Sequence, residues 1–405
     1  MKNKLNKFAH RIVLASTVFI TTAFLCTQSS YGLDLKSFAG SKSKNKTQKS
    51  AFIKSNSMDI DVNNNVAKLT GDVFIDHPDM TLKCDKMIIN LQDKPKEKKK
   101  KAAEKSQEDN NGDTKKAKNT SKSAAAVSNF SLGGNSKEVS TIVCIGNVII
   151  TKKVFDEKDK ANGPQTAKAN KAVFDVPKSI ITLTENNPVI SMRENSISGK
   201  IITIYIDENR MKVDGNSVIK YDVNDNEKRQ EFLKQNPNVP KKPTIIKSDS
   251  SDININKNIA HLVGSVHIDD AMADLKCNNM DIYLTDDQQL ASTEASSIPY
   301  FPIDGKNKTV DQIVCVGDVV IKRNLYSEGD IAAGEQKATS QKAVFTNEDS
   351  LLLLAKVKDV RPIISRGDTL ASGDTIAVNL KTETVKFTGF SAEIPQADID
   401  NFNKK

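Results

Sequence analysis

Apolar side chains occupy every second position along much of this chain. In the segment VAKLTGDVFI, Ala67, Leu69, Gly71, Val73 and Ile75 alternate with mostly polar residues. A period of two is typical of a β-strand with one face in the interior, whereas a helix repeats its apolar positions every three or four residues. Many short segments of this kind occur, separated by polar turns, and no long segment shows a clean helical period. The pattern predicts an all-β fold.

We expect nine short strands in the first half of the chain. They cover residues 58–62, 66–75, 80–91, 142–151, 166–175, 180–183, 189–192, 201–206 and 211–213. The segments between many of them are rich in Asn, Asp, Glu and Pro, which favour turns or interrupt strands. Hydrophobic residues make up 38% of the chain, which suits thin β-layers better than a thick core.

The strand pattern occurs twice. Residues 54–89 reappear without a gap at 247–282, and IVCIGNVII at 142–150 reappears as IVCVGDVVI at 313–321. Such a repeat indicates duplicated structural units. We therefore expect two tandem units of antiparallel strands, each a β-jelly-roll built like a flattened β-solenoid.

This interpretation divides the chain into predicted segments. They are a signal peptide at 1–32, a basic linker at 33–50, a first unit at 51–225 with a Lys-rich insertion at 94–138, a second linker at 226–245, and a second unit at 246–395.

The apolar positions change parity within one strand of each unit. In MTLKCDKMIINL, Leu82 and Cys84 lie on one parity and Met87 and Ile89 on the other; the second copy has Leu275 and Cys277, then Met280 and Ile282. A slip of one residue turns every later side chain to the opposite face. We therefore expect a bulge or bend near residues 85–86 and 278–279.

Four glycines recur at equivalent positions of these strands, within the series of inward-facing residues. Gly71, Gly146, Gly264 and Gly317 each precede Asp, Asn or Ser and then Val. A glycine inside a strand usually marks a bulge, a tight bend or the close approach of another backbone. A position that accepts Asp, Asn and Ser alike serves a turn or an edge, not acid-base catalysis.

The first residues resemble an export signal. Residues 1–32 contain four basic residues, an apolar run at 12–26 and small residues before Leu33. This order is typical of a cleaved signal peptide and predicts an exported protein, with an uncleaved anchor as the alternative.

The formal net charge of +8 is unevenly distributed. Residues 94–122 contain eleven Lys against five acidic residues, and residues 33–54 contain six Lys against one. We expect both stretches to be disordered. The Lys-rich insertion is either a solvated loop or a tether to anionic lipid. Nucleic acid is a poor partner, because no aromatic residues lie among these lysines.

Four cysteines remain behind the leader, and they too are duplicated. Cys84 corresponds to Cys277, and Cys144 corresponds to Cys315. In an exported chain this even set fits one disulfide per unit, Cys84 with Cys144 and Cys277 with Cys315. The alternative is that all four are small buried hydrophobic residues.

The sequence contains no constellation that indicates catalysis or a cofactor. No CxxC pair offers metal-ligand spacing, and no GxSxG, HExxH or phosphate-binding glycine loop occurs. His77, His261 and His267 lie in or beside strand edges, where a surface role is expected. We predict a protein that is not an enzyme, with no catalytic residues, metal or cofactor.

Several motifs resemble the OstA-like family. In the first unit these are Gly71-Asp72-Val73, Gly146-Asn147-Val148, Asp85 and Ser198-Gly199; in the second they are Gly264-Ser265-Val266, Gly317-Asp318-Val319 and Ser372-Gly373. Ser265 stands where the family pattern has Asp or Asn, and Asn278 stands where it has Asp. The resemblance implies a periplasmic β-jelly-roll that holds the acyl chains of lipopolysaccharide and stacks end to end with similar proteins between two membranes.

Two functional hypotheses remain open at this point. In the first, the protein transports lipopolysaccharide or a related glycolipid, and acyl chains contact Leu69, Val73, Leu82, Met87, Ile89, Leu262, Val266, Leu275, Met280 and Ile282. In the second, the same residues close a dry core, and the protein is an envelope scaffold or adaptor that assembles through its β-edges.

Overall fold

The computed structural model describes most of both repeats. The described residues are 52–77, 80–93, 137–153, 165–192, 194–222, 237–271, 273–286, 308–324, 335–379 and 384–393, with single positions at 230, 233–234, 326 and 382. The predicted signal peptide at 1–32, the basic linker at 33–50 and nearly all of the insertion at 94–138 lie outside these ranges. Within them, no helix has the length and apolar character needed to cross a bilayer.

The described residues form twenty-two strands. The first eleven are β1 (Phe52–Lys54), β2 (Ser57–Asp61), β3 (Val66–Asp76), β4 (Met80–Asp93), β5 (Lys137–Lys152), β6 (Gln165–Asp175), β7 (Ile180–Thr184), β8 (Val189–Met192), β9 (Asn195–Ser198), β10 (Ile201–Tyr205) and β11 (Arg210–Tyr221). The others are β12 (Thr244–Asn254), β13 (Ile259–Asp269), β14 (Ala273–Asp286), β15 (Lys308–Arg323), β16 (Gln336–Thr346), β17 (Leu351–Ala355), β18 (Ile363–Arg366), β19 (Thr369–Ser372), β20 (Thr375–Asn379), β21 (Thr384–Thr388) and β22 (Ser391–Glu393).

The predicted all-β, antiparallel fold is confirmed. Every strand pair is antiparallel, and the long strands pair with their neighbours in chain order from β3 to β6 and from β11 to β16. Two strands were missing from the prediction, β1 and β9. The chain also continues as strand beyond Val213 to the end of β11, where a single short strand was expected.

Each long strand contributes to two β-faces. One half of β3 pairs with β2 and the other half with β1, and β6 divides in the same way between β7 and β8. We call these the β2 face and the β1 face. The β2 face continues through β7, β10, β17, β20 and β21, and the β1 face through β8, β9, β18, β19 and β22.

A bulge separates the two halves of each long strand, as the parity change predicted. Lys83 pairs with Ile149, but Lys86 pairs with Ile145, so the register shifts between them. In the second unit the same shift lies between Lys276 and Asn279. Leu82 and Cys84 before the bulge and Met87 and Ile89 after it are therefore all buried in the same interior.

The repeated glycines supply the backbone conformation of these bulges. Gly146 has a φ of 77°, and Asn147 after it has a φ of 47°. A Cβ atom on Gly146 would lie 2.2 Å from a carboxylate oxygen of Asp85. The site therefore needs glycine for both conformation and space. Gly215, with a φ of 75°, marks a further bulge in β11.

The two repeats are joined through hydrogen-bonded strands. The last strand of the first repeat, β11, pairs with β12 of the second from Arg210 opposite Asn254 to Tyr221 opposite Thr244. In the connection between them, Leu233 and Val239 pack against Ala271 and Tyr326. The predicted unit boundaries stay a prediction, because the strand pairing runs on without interruption.

Candidate functional site

The apolar interior between the two faces is the candidate site. All ten residues predicted to line it are buried, with at most 6% of each exposed, and they belong to one contiguous cluster that extends through both repeats. Leu69 pairs with Met87, and Leu262 pairs with Met280. The same side chains therefore meet at equivalent positions of the two repeats. The structure brings these residues together, but their role in binding lipid is not tested by it.

The same interior includes large residues that the prediction omitted. Ile150, Ile181, Leu183, Ile190, Ile197 and Phe345 are fully buried in it. Ile181, Leu183 and Ile190 were indicated by alternation in 180–183 and 189–192, and Ile150 by alternation in the predicted strand 142–151. The prediction favoured the residues of the ungapped repeat and therefore left out the other strands.

The interior is exposed at the N-terminal end of the fold. There β1 and β2 each pair with β3 on one side only among the described residues. Met58 and Ile60 lie opposite Leu69 and Ala67, so their side chains point to the interior, yet they are 44% and 45% exposed. An apolar surface continuous with the interior therefore reaches solvent at this end.

The C-terminal end has a different surface. Val385 and Phe387 of β21 pack against the interior cluster, and Phe390 contacts Phe387 edge to face with ring centroids 5.1 Å apart. β21 pairs with β20, and β22 pairs with β19; the described residues include no strand beyond either. Both ends thus carry unpaired strand edges, which are competent to pair with another chain.

The interior contains a polar pair where the two repeats meet. The hydroxyl oxygens of Ser217 on β11 and Ser251 on β12 are 2.8 Å apart, and both residues are buried. One hydroxyl donates a hydrogen bond to the other, which offsets part of the cost of burying the pair. At the position equivalent to Ser251, the first repeat has the exposed Met58.

The four cysteines lie in the interior as free thiols. The predicted disulfides are therefore not formed in this structure, although the predicted partners are neighbours in both repeats. A hydrogen bond from the Cys144 thiol lowers the pKa of Cys84, while burial opposes this shift. The same hydrogen bond and burial raise the pKa of Cys144 well above its ordinary value. Contact with Cys277 and burial raise the pKa of Cys315 likewise.

Two of the histidines, His261 and His267, pair with aspartates on the surface. Nδ1 of His261 lies 2.7 Å from a carboxylate oxygen of Asp281, and His267 hydrogen-bonds to Asp274. All four side chains are partly exposed. In the part of the chain that the structure describes, no three His, Cys, Asp or Glu side chains form a group that could hold a metal ion.

Comparison with known proteins relates the chain to one family. The family model described as "LptA/(LptD N-terminal domain) LPS transport protein" matches residues 52–210 and 245–384, which is most of the chain. A solved structure of LptH from Pseudomonas aeruginosa, titled as the LptA homologous periplasmic component of the lipopolysaccharide transport device, is similar at 11% identity and a TM-score of 0.28. That match covers 39% of this chain and 99% of the other. No curated protein matches the chain. The chain belongs to the LptA and LptD N-terminal domain family of lipopolysaccharide transport proteins.

Proposed function

We propose that this protein binds the acyl chains of lipopolysaccharide, or of a related glycolipid, in its interior and conducts them across the periplasm without catalysis. The observation that carries the proposal is the single apolar cluster that runs through both repeats and reaches solvent at Met58 and Ile60. Lipid tails need an unbroken apolar path, because each methylene left in water costs roughly 0.8 kcal/mol.

The hydrogen-bonded joint between the repeats supports transport by a pre-assembled pair of units. Family members that are single units would have to form such a contact between separate chains, whereas β11 and β12 form it within one. We propose that the unpaired edges at β1 and β2 and at β21 and β22 make similar strand contacts with other envelope transport proteins or with a second copy.

The competing hypothesis is an envelope scaffold with a closed, dry core. Both hypotheses place the ten interior residues in the same buried positions, so burial alone does not separate them. They differ in what the open N-terminal end does. Transport requires that lipid tails contact Met58 and Ile60. A scaffold requires only that the backbone edge of β2 pairs with a strand of another chain.

A binding experiment with purified lipopolysaccharide separates the two. We expect M58Q/I60Q to lower the affinity about tenfold, since two apolar contacts are lost where the residues are already half exposed and folding tolerates the change. The matched control is V263Q/V316Q, which changes two residues of similar exposure on the outer side of the β2 face. Equal affinity in both variants, or no binding by the unmodified protein, would reject transport.

A further inference from the structure

The outer side of the β1 face carries a row of positive charges that the proposed function does not use. Lys54 lies opposite Phe74, Phe74 opposite Lys83, Lys83 opposite Ile149, and Ile149 opposite Lys168. Residues paired in this way lie side by side on one face of a sheet. Lysines and apolar residues therefore alternate from strand to strand between Lys54 and Val189.

The row continues across the joint into the second repeat. After Lys168 come Val189, Ser198 and Val218, then Lys247, His267, Lys276 and Val320. We call Lys54, Lys83, Lys168, Lys247 and Lys276 the cationic row. Beyond Val320 the next positions are Thr339, Ile363 and Ser372, so the charges stop inside the second repeat.

The lysines of the row are exposed and mostly uncompensated. Among the residues that the structure describes, no carboxylate lies within 4 Å of the ammonium groups of Lys54, Lys83, Lys168 or Lys247. Lys276 is 3.7 Å from Asp274. The intervening Phe74, Ile149 and Val218 are half-buried. The charges are thus available to an external anion.

Carboxylates occur on both sides of this row. On one side the adjoining row contains Asp76, Asp269 and Asp274, each of which pairs with a cationic or histidine side chain. The same adjoining row also contains Lys220, Lys322 and Lys337. On the other side, at the bulges, Asp85 and Asp249 are exposed. A broad anionic surface would meet these carboxylates, whereas a single chain laid along the row would avoid them.

The spacing of the row defines the kind of chain that fits it. Neighbouring strands are about 4.8 Å apart, so lysines two strands apart are separated by roughly 10 Å, which is close to the length of a disaccharide. Lys168 and Lys247 are four strands apart, so their separation is roughly 19 Å, about twice that length. The half-buried apolar side chains between them can pack on the apolar faces of sugar rings. A sheet also twists from strand to strand, so a flexible chain can follow the row where a flat bilayer cannot.

We propose that the cationic row binds a single strand of a linear acidic glycan along the outside of the protein. The glycan's anionic groups pair with the five lysines, and intervening sugar rings lie over Ile149 and Val218, since the ring of Phe74 is already contacted by the Lys83 ammonium, 5.7 Å from its centroid. This site is separate from the lipid-binding interior, so the two activities are independent of each other.

The test measures binding of polygalacturonate oligomers, linear glycans with one carboxylate on each sugar, to the full chain. We expect K54Q/K83Q/K168Q/K247Q to weaken binding roughly tenfold, because each exposed ion pair contributes less than about 1 kcal/mol. The matched control is K68Q/K86Q/K342Q/K386Q, which removes four exposed lysines from the outer side of the β2 face. Both variants keep the Lys-rich stretch 94–122, so its contribution is the same, and lipopolysaccharide binding should change in neither.

Two results would overturn the proposal. Equal losses in the two variants would show that net charge alone governs binding. A row-dependent affinity for vesicles of equimolar phosphatidylcholine and phosphatidylglycerol, without affinity for the glycan, would identify a membrane surface as the partner instead.

Discussion

Arg210 and Asp252 form a bidentate ion pair across the two strands that join the repeats. Nε of Arg210 lies 2.8 Å from one carboxylate oxygen of Asp252, and Nη2 lies 2.6 Å from the other. The guanidinium also stacks on the ring of Tyr205, 4.9 Å from its centroid. Bidentate pairs of this geometry fix orientation as well as adding energy. The pair therefore helps to hold β11 and β12 in the register that keeps the interior continuous.

We predict that D252N weakens the joint between the repeats more than it weakens either repeat. The free energy needed to separate β11 from β12 should fall by about 1 kcal/mol, because both side chains are partly exposed and solvent screens the pair. Hydrogen exchange should show faster opening of β11 and β12 only. The matched control is D175N in the surface pair with Lys178, for which less than about 0.5 kcal/mol is expected. Similar effects of both substitutions would mean that the Arg210 pair has no special role.

Gly146 should not tolerate a side chain. We expect G146A to destabilise the protein by about 1 to 3 kcal/mol, because alanine is disfavoured at a φ of 77° and its Cβ would collide with Asp85. In the double variant D85A/G146A the 2.2 Å contact with the carboxylate is removed, but the 2.9 Å contact with Cβ of residue 85 and the unfavourable backbone conformation remain. Denaturant unfolding should therefore show partial recovery. Full recovery, or no effect of G146A alone, would contradict the role of this residue in the bulge.

The cysteines provide a prediction that depends on pH. Thiolates are the reactive form, so the lowered pKa of Cys84 should allow its alkylation at lower pH than that of Cys144, whose pKa is raised. Peptide mass spectrometry after alkylation over a pH series measures both. In C144A the stabilising hydrogen bond is lost, and the labelling of Cys84 should move to higher pH. Identical pH profiles for the two thiols would contradict the hydrogen bond.

We also predict that the exported protein oxidises at these sites. The neighbouring thiols should form the pairs Cys84 with Cys144 and Cys277 with Cys315, because export exposes them to oxidising conditions. Mass spectrometry of unreduced peptides from protein purified after export identifies the pairs. Four free thiols would leave the cysteines as small buried hydrophobic residues.

The Lys-rich insertion can be tested separately from the β-units. Deleting residues 94–122 should weaken binding to anionic vesicles and make the remaining binding less sensitive to salt, because eleven lysines are removed. Circular dichroism should show that the strands remain. If binding to vesicles is unchanged, the insertion is a solvated loop and not a tether.

Alternation and repetition in the sequence were sufficient to predict the all-β fold and the bulges. The change of parity between Cys84 and Met87 has a single physical explanation, a slipped residue, and the structure contains it. β9 was missed because NSIS has one apolar residue, too few to show a period of two. β1 has only three residues, which are also too few to show a period of two.

The joint between the repeats could not be predicted in the same way. β11 and β12 are separated by a long connection, and no local pattern specifies that two edges will pair. Nor does alternation distinguish a core from a lipid-binding interior, because Leu69 is buried in both cases. The exposed apolar residues Met58 and Ile60 became interpretable only once the open end of the sheet was known.

The central claim is that the continuous interior contains lipid when the protein works. Native mass spectrometry of mature protein, purified without detergent from a lipopolysaccharide-producing host, tests it most directly. We predict adducts with the mass of lipopolysaccharide or its lipid A portion, and fewer of them in M58Q/I60Q than in V263Q/V316Q. Folded protein without any glycolipid adduct would contradict the claim and favour a scaffold with a dry core.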